Sequence, residues 1–208
     1  MARKTHSLFR LAYHEKLKGI SLDGSVLDVG GTKNGYYQTL FQGKPTFTVM
    51  NISDTYGYDI KADAEKPFPI PNASYDHVLL LNVLELLYDY GTTLKECHRV
   101  LKPGGTVVCA NPFLVQVHHN PNDYFRFTDK ALQRMFEETG FKIQKLEPLA
   151  YGAFSVAYHH TSWLLPGFLR VAYRWISVMK DGFLKKISKR YAELSKNYPI
   201  GYFLVATK

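Results

Sequence analysis

Polar and glycine residues that directly follow apolar segments are the places in this sequence where chemistry could occur. The apolar segment 25–29 contains Asp28 and is followed at once by Gly30 and Gly31, with Gly35 a few residues later. This order predicts a buried strand, a loop whose backbone can approach a ligand closely, and the start of a helix whose free N–H groups face that ligand. The glycine spacing is not G-x-G-x-x-G, so the loop lacks the fingerprint of dinucleotide-binding proteins.

The segments that must position this loop alternate between strand and helix patterns. Strands are predicted at 26–29, 46–50, 75–82, 106–110, 141–146 and 201–207, with a weak pairing segment at 58–62. Helical patterns cover 5–18, 36–41, 92–101 and 129–139, with 43–45 ending the second helix and 102–105 the third. Thr128 is placed to cap the last of these helices, and Gly140 to end it.

This alternation predicts an α/β fold with an open, mostly parallel sheet and helices on both faces. Ligands of such folds bind beyond the carboxyl ends of the strands. The residues that the pattern places there include Asn51, Asp63, Asn82 and the loop after Ala110.

Composition indicates a soluble globular protein of one domain. The chain has 208 residues, of which 46% are hydrophobic and 21% charged, and no segment of about 18 apolar residues that would predict a membrane span. The two cysteines, Cys97 and Cys109, form neither a disulfide framework nor a metal-binding pattern. They are expected to be reduced thiols of a cytoplasmic protein, and the N-terminus lacks the apolar run of a signal peptide.

The net charge of +8 is concentrated at the two ends of the chain. It divides into +4 over residues 1–20, −3 over 21–150 and +7 over 151–208. Basic flanks of this kind are typical of a protein with an anionic partner, which could be a membrane surface, a nucleic acid or an acidic substrate. A solvated basic surface without a partner is an equally good interpretation.

Six motifs follow one another along the chain: VLDVGG at 26–31, DAEKPF at 63–68, SYD at 74–76, NVLE at 82–85, RVLKPGG at 99–105, and DYFRFT at 123–128 followed by Gly140 and Phe141. In this order the six motifs resemble those of the class I S-adenosylmethionine-dependent methyltransferases, in particular the type 11 methyltransferase domain family. The last is similar to a subset found among polysaccharide- and glycan-modifying genes. The resemblance spans residues 25–147 and the last strand, and implies a Rossmann-like sheet whose last strand is antiparallel.

The same resemblance implies S-adenosylmethionine as the cofactor, lying across the strand ends. The residues it assigns to the cofactor are Asp28, Gly30, Gly31, Thr32, Asn51, Asp63, Ala64 and Asn82. The two glycines would leave room for the methionine part, and Asp28 would orient the turn or bind the amino group. Asp63 and Ala64 would contact the adenine, and Asn82 would face the sulfonium. Loop capping is the alternative role of Asp63 and of Asn82.

Departures from the family pattern affect this cofactor site. Most relatives carry Asp or Glu at the end of the second strand, where this chain has Asn51, and an amide oxygen is a weaker acceptor than a carboxylate. We therefore expect weaker cofactor binding than usual, or help from Asp54. Lys33 is placed near the cofactor, and Leu86 stands where relatives often carry His. A non-catalytic protein with a degenerate methyltransferase fold is therefore an alternative.

The loop after Ala110 supplies the candidate groups for a methyl acceptor. His118 is the first candidate for a general base and His119 the second, because imidazole titrates near neutral pH. Arg126 is placed to hold an anionic group of the acceptor by a bidentate contact, although a Tyr–Asp–Arg cluster is often structural.

These residues predict methyl transfer to an oxygen or nitrogen of a small-molecule or glycan acceptor. A nucleic-acid acceptor fits less well, because no recognised RNA-binding module accompanies the basic flanks. A nicotinamide-dependent oxidoreductase is disfavoured by the missing fingerprint.

The segment 151–196 is a basic helical insertion before the last strand. Arg170, Arg174, Ser177 and Asp181 recur at helical spacing and leave apolar residues around the rest, which predicts an amphipathic helix. We expect a cap over the acceptor pocket first, contact of 163–190 with an anionic membrane surface second, and a dimer contact third. The expected division is an N-terminal helix at 1–22, a cofactor-binding core at 23–150, the insertion, and the last strand at 197–208.

Overall fold

The computed structural model describes residues 7–118, 122–150 and 152–208. The strands of this part of the chain are β1 Ser21–Val29, β2 Gln42–Asn51, β3 Ile60–Lys61, β4 Tyr75–Leu81, β5 Leu101–Pro112, β6 Lys142–Ala150 and β7 Pro199–Thr207. The α-helices are α1 Leu8–Leu17, α2 Tyr90–Val100, α3 Asp129–Glu138, α4 Ala153–Thr161, α5 Gly167–Ile187 and α6 Lys189–Ser195.

All seven strands form one sheet in the order β3-β2-β1-β4-β5-β7-β6. The pairs among β1 to β5 are parallel, whereas β7 is antiparallel to both β5 and β6. The predicted fold class, a mostly parallel Rossmann-like sheet with an antiparallel last strand, is confirmed. The carboxyl ends of β1, β2 and β4 therefore meet at one edge of the sheet.

Both faces of the sheet are covered, as the continuous apolar strands predicted. Along β4, Val78 and Leu80 belong to the apolar cluster that includes α2 and α3, while Leu79 belongs to the cluster that includes α1. All three side chains are fully buried. A strand covered on both sides needs apolar residues at successive positions, which explains why 78–81 shows no alternation.

The segment after β1 does not form the α-helix expected at 36–41. It forms one short 3-10 helix, Tyr36–Leu40, without a buried residue, and five residues are too few for a stable α-helix with an apolar stripe. The segment 43–45 is not a helix end either, because it lies inside β2. There Gly43, at φ 88°, pairs with Leu22, and a Cβ on it would lie 2.3 Å from the Leu22 carbonyl oxygen.

The later helix ends follow the sequence signals closely. Thr128 Oγ1 accepts a hydrogen bond from the Ala131 N–H at 3.3 Å, and Gly140 adopts φ 91°, so the predicted cap and end of α3 are confirmed. The segment 102–105 is different, since β5 begins at Leu101 and includes it. Lys102 Nζ donates to Asp76 Oδ1 at 2.8 Å, which holds this part of β5 beside β4.

The helices of the insertion are joined by one buried carboxylate. Asp181 of α5 accepts hydrogen bonds from the Phe154 and Ser155 N–H groups at 3.2 and 2.7 Å, so it caps the start of α4. The Tyr191 hydroxyl of α6 donates to the same carboxylate. The residue before α4, Gly152, has no side chain to serve as a cap and adopts φ 120°. Asp181 therefore links α4, α5 and α6.

The long helix α5 places its polar stripe, rather than its apolar face, against the protein. Ser177 and Asp181 are its buried residues, whereas its apolar residues are largely exposed. No helix within the described ranges is both long enough and apolar enough to cross a membrane.

Candidate functional site

A cavity of about 660 Å³ opens at the carboxyl ends of β1, β4 and β5. Its walls come from the loops after these three strands, from α1, and from His159 of α4. The volume is that of ordinary small-ligand sites. A second cavity, of about 650 Å³, lies between α3 and the β6–β7 side of the sheet and contains none of the predicted site residues.

The glycine loop after β1 forms one wall of the larger cavity. Gly30 has φ 68°, and its N–H donates to the Met50 carbonyl at 2.8 Å. A Cβ on Gly30 would lie 2.8 Å from Val83 Cγ2, and one on Gly31 would lie 2.3 Å from Asp28 Cγ. The glycines are therefore required by the protein's own packing, in addition to any room they leave for a ligand.

Asp28 lies beneath this loop as a buried carboxyl group. Its Oδ2 accepts hydrogen bonds from Tyr37 Oη at 2.5 Å and from Gln38 Nε2 at 3.0 Å, and burial raises its pKa to about 6. Its Oδ1 has no hydrogen-bond partner among the described residues. Tyr37 Oη also accepts from the Thr32 N–H at 3.0 Å, so the same hydroxyl positions both Asp28 and Thr32.

Four predicted cofactor residues lie outside the lining of this cavity, namely Asp28 beneath the glycine loop and Asn51, Asp63 and Ala64. Asn51 Nδ2 donates to the Gly31 carbonyl at 2.7 Å, and its Oδ1 accepts from the Ser53 N–H at 2.9 Å, so the amide joins two loops. Asp63 Oδ1 accepts from the Glu65 N–H at 3.0 Å as a local loop cap. The Ala64 carbonyl accepts from Thr93 Oγ1 at 2.8 Å.

The charged residues suggested as modifiers of the cofactor site are already paired. Lys33 Nζ lies 2.5 Å from Asp59 Oδ1, and this contact lowers the pKa of the Asp59 carboxyl. Asp54 accepts from Lys61 Nζ at 2.9 Å and from Tyr58 Oη at 2.7 Å. In this arrangement neither Lys33 nor Asp54 presents an unpaired charge to the cavity.

Asn82 lies in the cavity wall directly after β4. It adopts φ 59°, a left-handed conformation that asparagine tolerates better than most residues, and its N–H donates to the Ala110 carbonyl at 2.9 Å. Its Nδ2 donates to Tyr13 Oη of α1 at 3.5 Å. Sequence reasoning missed this role of α1, whose Arg10 and Tyr13 both line the cavity. No local signal links residues 69 positions apart.

The loop after β5 brings His118 and Arg126 to the same cavity. His118 is exposed, and its backbone N–H donates to Asp123 Oδ2 at 2.7 Å. The Arg126 guanidinium forms a forked ion pair with Asp123, whose side chain is only 2% exposed. Arg126 Nη1 also donates to the Phe125 carbonyl at 2.8 Å, so this pair closes the loop on itself. His119, the second base candidate, lies outside the described residues.

Glu85 is a titratable group of the cavity to which sequence reasoning gave no role. Only 4% of it is exposed, and burial raises the pKa of its carboxyl to about 8 although the Arg126 charge acts to lower it. Its Oε2 has no hydrogen-bond partner in the described part of the chain. Its carbonyl accepts from the Tyr124 N–H at 2.8 Å. The sequence signal that could have identified Glu85 is a single acidic residue within the otherwise apolar segment 83–87.

Comparison with known proteins agrees with this arrangement. Residues 27–109 match the family described as "Methyltransferase domain". A demethylmenaquinone methyltransferase of Geobacillus stearothermophilus is 40% identical over 77 residues, covering 34% of this chain and 33% of that protein. A demethylmenaquinone methyltransferase of Staphylococcus epidermidis is 31% identical over 127 residues, covering 60% of this chain and 45% of that protein. The chain thus spans less than half the length of these curated relatives.

The fold has a counterpart among solved structures. The crystal structure of a SAM-dependent methyltransferase from Archaeoglobus fulgidus matches 97% of this chain and 92% of its own, with a TM-score of 0.57 and 16% sequence identity. At that identity the likeness shows the fold alone. The matched family segment, 27–109, contains the glycine loop and Asn82 but ends before the loop that carries His118 and Arg126.

Proposed function

We propose that this chain, a class I S-adenosylmethionine-dependent methyltransferase with S-adenosylmethionine as its cofactor, methylates an oxygen or nitrogen of a small-molecule or glycan acceptor. One observation carries the proposal. The cavity joins Gly30, Gly31 and Asn82, from the family's cofactor segment, to the loop of His118 and Arg126. Donor and acceptor would therefore share one space, as direct transfer between them requires.

The cofactor half of the site fits an amino acid with a nucleoside attached. Asp28 Oδ1, which has no partner among the described residues, would accept from an amino group, reached directly or through water beside Gly31 and Thr32. Asn82 would face the sulfonium. Asn51 ends β2, and Asp63 and Ala64 follow β3; at these neighbouring strand ends they would contact ribose and adenine. Ribose binding then uses the remaining lone pair of Asn51 Oδ1, which supports weaker affinity than a carboxylate would provide.

Bound in this half, the cofactor supplies an electrophilic methyl group, and the chain's own residues position the acceptor and handle its proton. The exposed ring of His118 is the proposed proton acceptor, and His119 remains the second candidate. We also propose that Arg126 orients the acceptor. The acceptor must then carry a group that competes with Asp123 for the guanidinium or binds beside the Arg126–Asp123 ion pair. The buried carboxyl of Glu85 lies on the wall of the same cavity, and because burial raises its pKa to about 8 it would hold a proton at neutral pH and act as a proton donor.

The insertion is proposed to act as a cap on the acceptor side. Its helix α4 contributes His159 to the cavity wall, and burial lowers the pKa of that imidazole. Because Asp181 links α4 to α5 and α6, the cap would act as one unit.

Demethylmenaquinone is a different kind of acceptor to test, because two of the relatives are named demethylmenaquinone methyltransferases. Its quinone ring would take the methyl group on carbon, so a positive result would replace the oxygen or nitrogen acceptor proposed above. A glycan acceptor is supported instead by the resemblance of 123–128 to glycan-modifying relatives. These residues lie beyond the family-matched segment, so the acceptor is a separate question from the cofactor.

Titration calorimetry with S-adenosylmethionine and S-adenosylhomocysteine tests the cofactor part of the proposal. We expect saturable binding, and S-adenosylhomocysteine retained from expression should be visible by native mass spectrometry. Asp28→Asn should weaken binding about tenfold by removing the charged acceptor, whereas Asp129→Asn on α3, a change of the same charge, should leave it unaltered.

A folded protein that shows no heat at millimolar cofactor would favour the alternative, a non-catalytic protein with a degenerate site. The loop-joining role of Asn51 and the closed Arg126–Asp123 pair are the observations that favour this alternative. Once an acceptor is found by S-adenosylhomocysteine release, a His118→Ala variant with unchanged turnover would remove His118 as the base.

A further inference from the structure

Helix α5 turns its polar residues inward and its apolar residues outward. Ser177 and Asp181 are 2% and 1% exposed, and the flanking Arg170 and Arg174 are partly buried. Arg170 Nε donates to the Leu165 carbonyl at 2.8 Å, which fixes this stripe against the segment directly before α5. The face that would normally form a core contact therefore has no protein on it within the described residues.

The outward face of α5 is a large apolar surface. Its residues Phe168, Trp175, Ile176, Met179, Phe183 and Ile187 are between 52% and 77% exposed. Trp163 and Leu164, directly before α5, are 62% and 64% exposed. Isolated exposed apolar residues are common, but a continuous face of this extent marks an interaction surface.

The charges around this face are basic. Asp181 is the one acidic residue of α5, and it is buried among its partners, while Lys180 and Lys186 are exposed on the helix. Lys189 and Arg190 follow at the start of α6. The segment 151–208 has a net charge of +7. Trp175, one of the two tryptophans of the chain, lies on this surface.

We propose that this outer face of α5 docks on the surface of an anionic lipid bilayer, with the helix lying in the plane of the interface. Apolar side chains would enter the headgroup region while Lys180 and Lys186 contact anionic lipids. Tryptophan is suited to such an interface because its ring is apolar and its N–H polar.

A second copy of the chain fits this face less well than lipid does. Two copies meeting through α5 would bring Lys180 and Lys186 of each helix together, and the single acid of α5, Asp181, is buried and could not pair with them, so like charges would repel. The bilayer supplies the opposite charge and an apolar layer at once. The proposal does not depend on methyl transfer, so it stands or fails separately from the proposed function.

Vesicle flotation tests this docking with the full chain. We expect the chain to bind vesicles of phosphatidylcholine that contain about 30% phosphatidylglycerol, and to bind vesicles of phosphatidylcholine alone much more weakly. Binding to the anionic vesicles should weaken at high salt. Because Trp175 lies on this surface, tryptophan emission should shift to shorter wavelength on binding. Trp175→Gln combined with Met179→Gln should bind about tenfold or more weakly.

The matched control for the double variant is Ile52→Gln, which removes an apolar side chain that is 58% exposed elsewhere on the molecule. It should bind vesicles as the wild type does, and circular dichroism should show both proteins folded. Absence of vesicle binding would overturn the proposal. So would equal binding of the double variant, or a soluble dimer that the double variant dissociates, since a second copy would then cover the face.

Discussion

Replacing Glu85 by glutamine removes a buried titratable group while keeping the shape of the side chain. The folded chain buries this carboxyl with Oε2 unpartnered among the described residues, and burial raises its pKa from 4.5 to about 8. Between these values the folded state keeps a proton that the unfolded chain has released. Glu85 by itself therefore lowers the unfolding free energy of the wild type as the pH rises through this window, and its contribution levels off above about 8. His77, His98 and His159, whose pKa values burial lowers, act in the opposite direction, and they do so equally in the wild type and the variant.

The size of the effect follows from the two pKa values. Integrated from pH 6 to pH 8, the Glu85 carboxyl should cost the wild type about 2 kcal/mol of unfolding free energy. Asp28, whose pKa burial raises to about 6, completes most of its linkage below this window and adds only about 0.4 kcal/mol. The Glu85→Gln variant should lose the larger contribution and keep the smaller one.

Urea unfolding followed by circular dichroism at pH 6 and pH 8 measures this difference. Glu137→Gln, which removes an exposed carboxylate from α3, is the matched control and should follow the wild type. If the free energies of the wild type and Glu85→Gln change in parallel between pH 6 and pH 8, then Glu85 does not titrate as a buried carboxyl and the reasoning fails.

Two further substitutions test the packing around the cavity and the cap. Gly31→Ala would place its Cβ 2.3 Å from Asp28 Cγ and should lower the free energy of unfolding by about 2 kcal/mol or more. Gly182→Ala, with open space around it on α5, should be neutral or stabilising. Equal melting temperatures for the two variants would contradict this account. Asp181→Ala should lower the free energy of unfolding in urea by about 3 kcal/mol, because it removes the cap at the start of α4 and leaves buried donors unpaired. Glu193→Ala, which removes an exposed acid of α6, should lower it by less than about 0.5 kcal/mol. A loss of similar size in both acid variants would show that charge, and not the cap, matters.

Most of the fold could be predicted because its signals are local. Continuous apolar segments marked strands buried on both faces, and Thr128 and Gly140 marked the ends of α3. The exception, 36–45, had the composition of a helix followed by a break. It became a 3-10 helix and a strand because Tyr37 and Gln38 bind Asp28, and because Gly43 pairs with β1. Neither helical nor strand periodicity encodes these contacts, because they join a loop to the strand before it and one strand to another.

The site shows the same division. Motif order placed the glycine loop and Asn82 at one sheet edge, since parallel strands bring their carboxyl ends together. That Tyr13 of α1 reaches Asn82, and that Asp123 occupies the fork of Arg126, depended on packing between distant segments. The altered pKa of Glu85 depends likewise on burial, which no short segment encodes.

The insertion makes the distinction clearest. The sequence alone determined that α5 has one polar stripe and one apolar face, because helical periodicity separates them. It did not determine which of the two meets the protein. Tertiary structure decided that, because Asp181 caps α4 and binds Tyr191, and satisfying these buried groups turns the polar stripe inward and the apolar face outward.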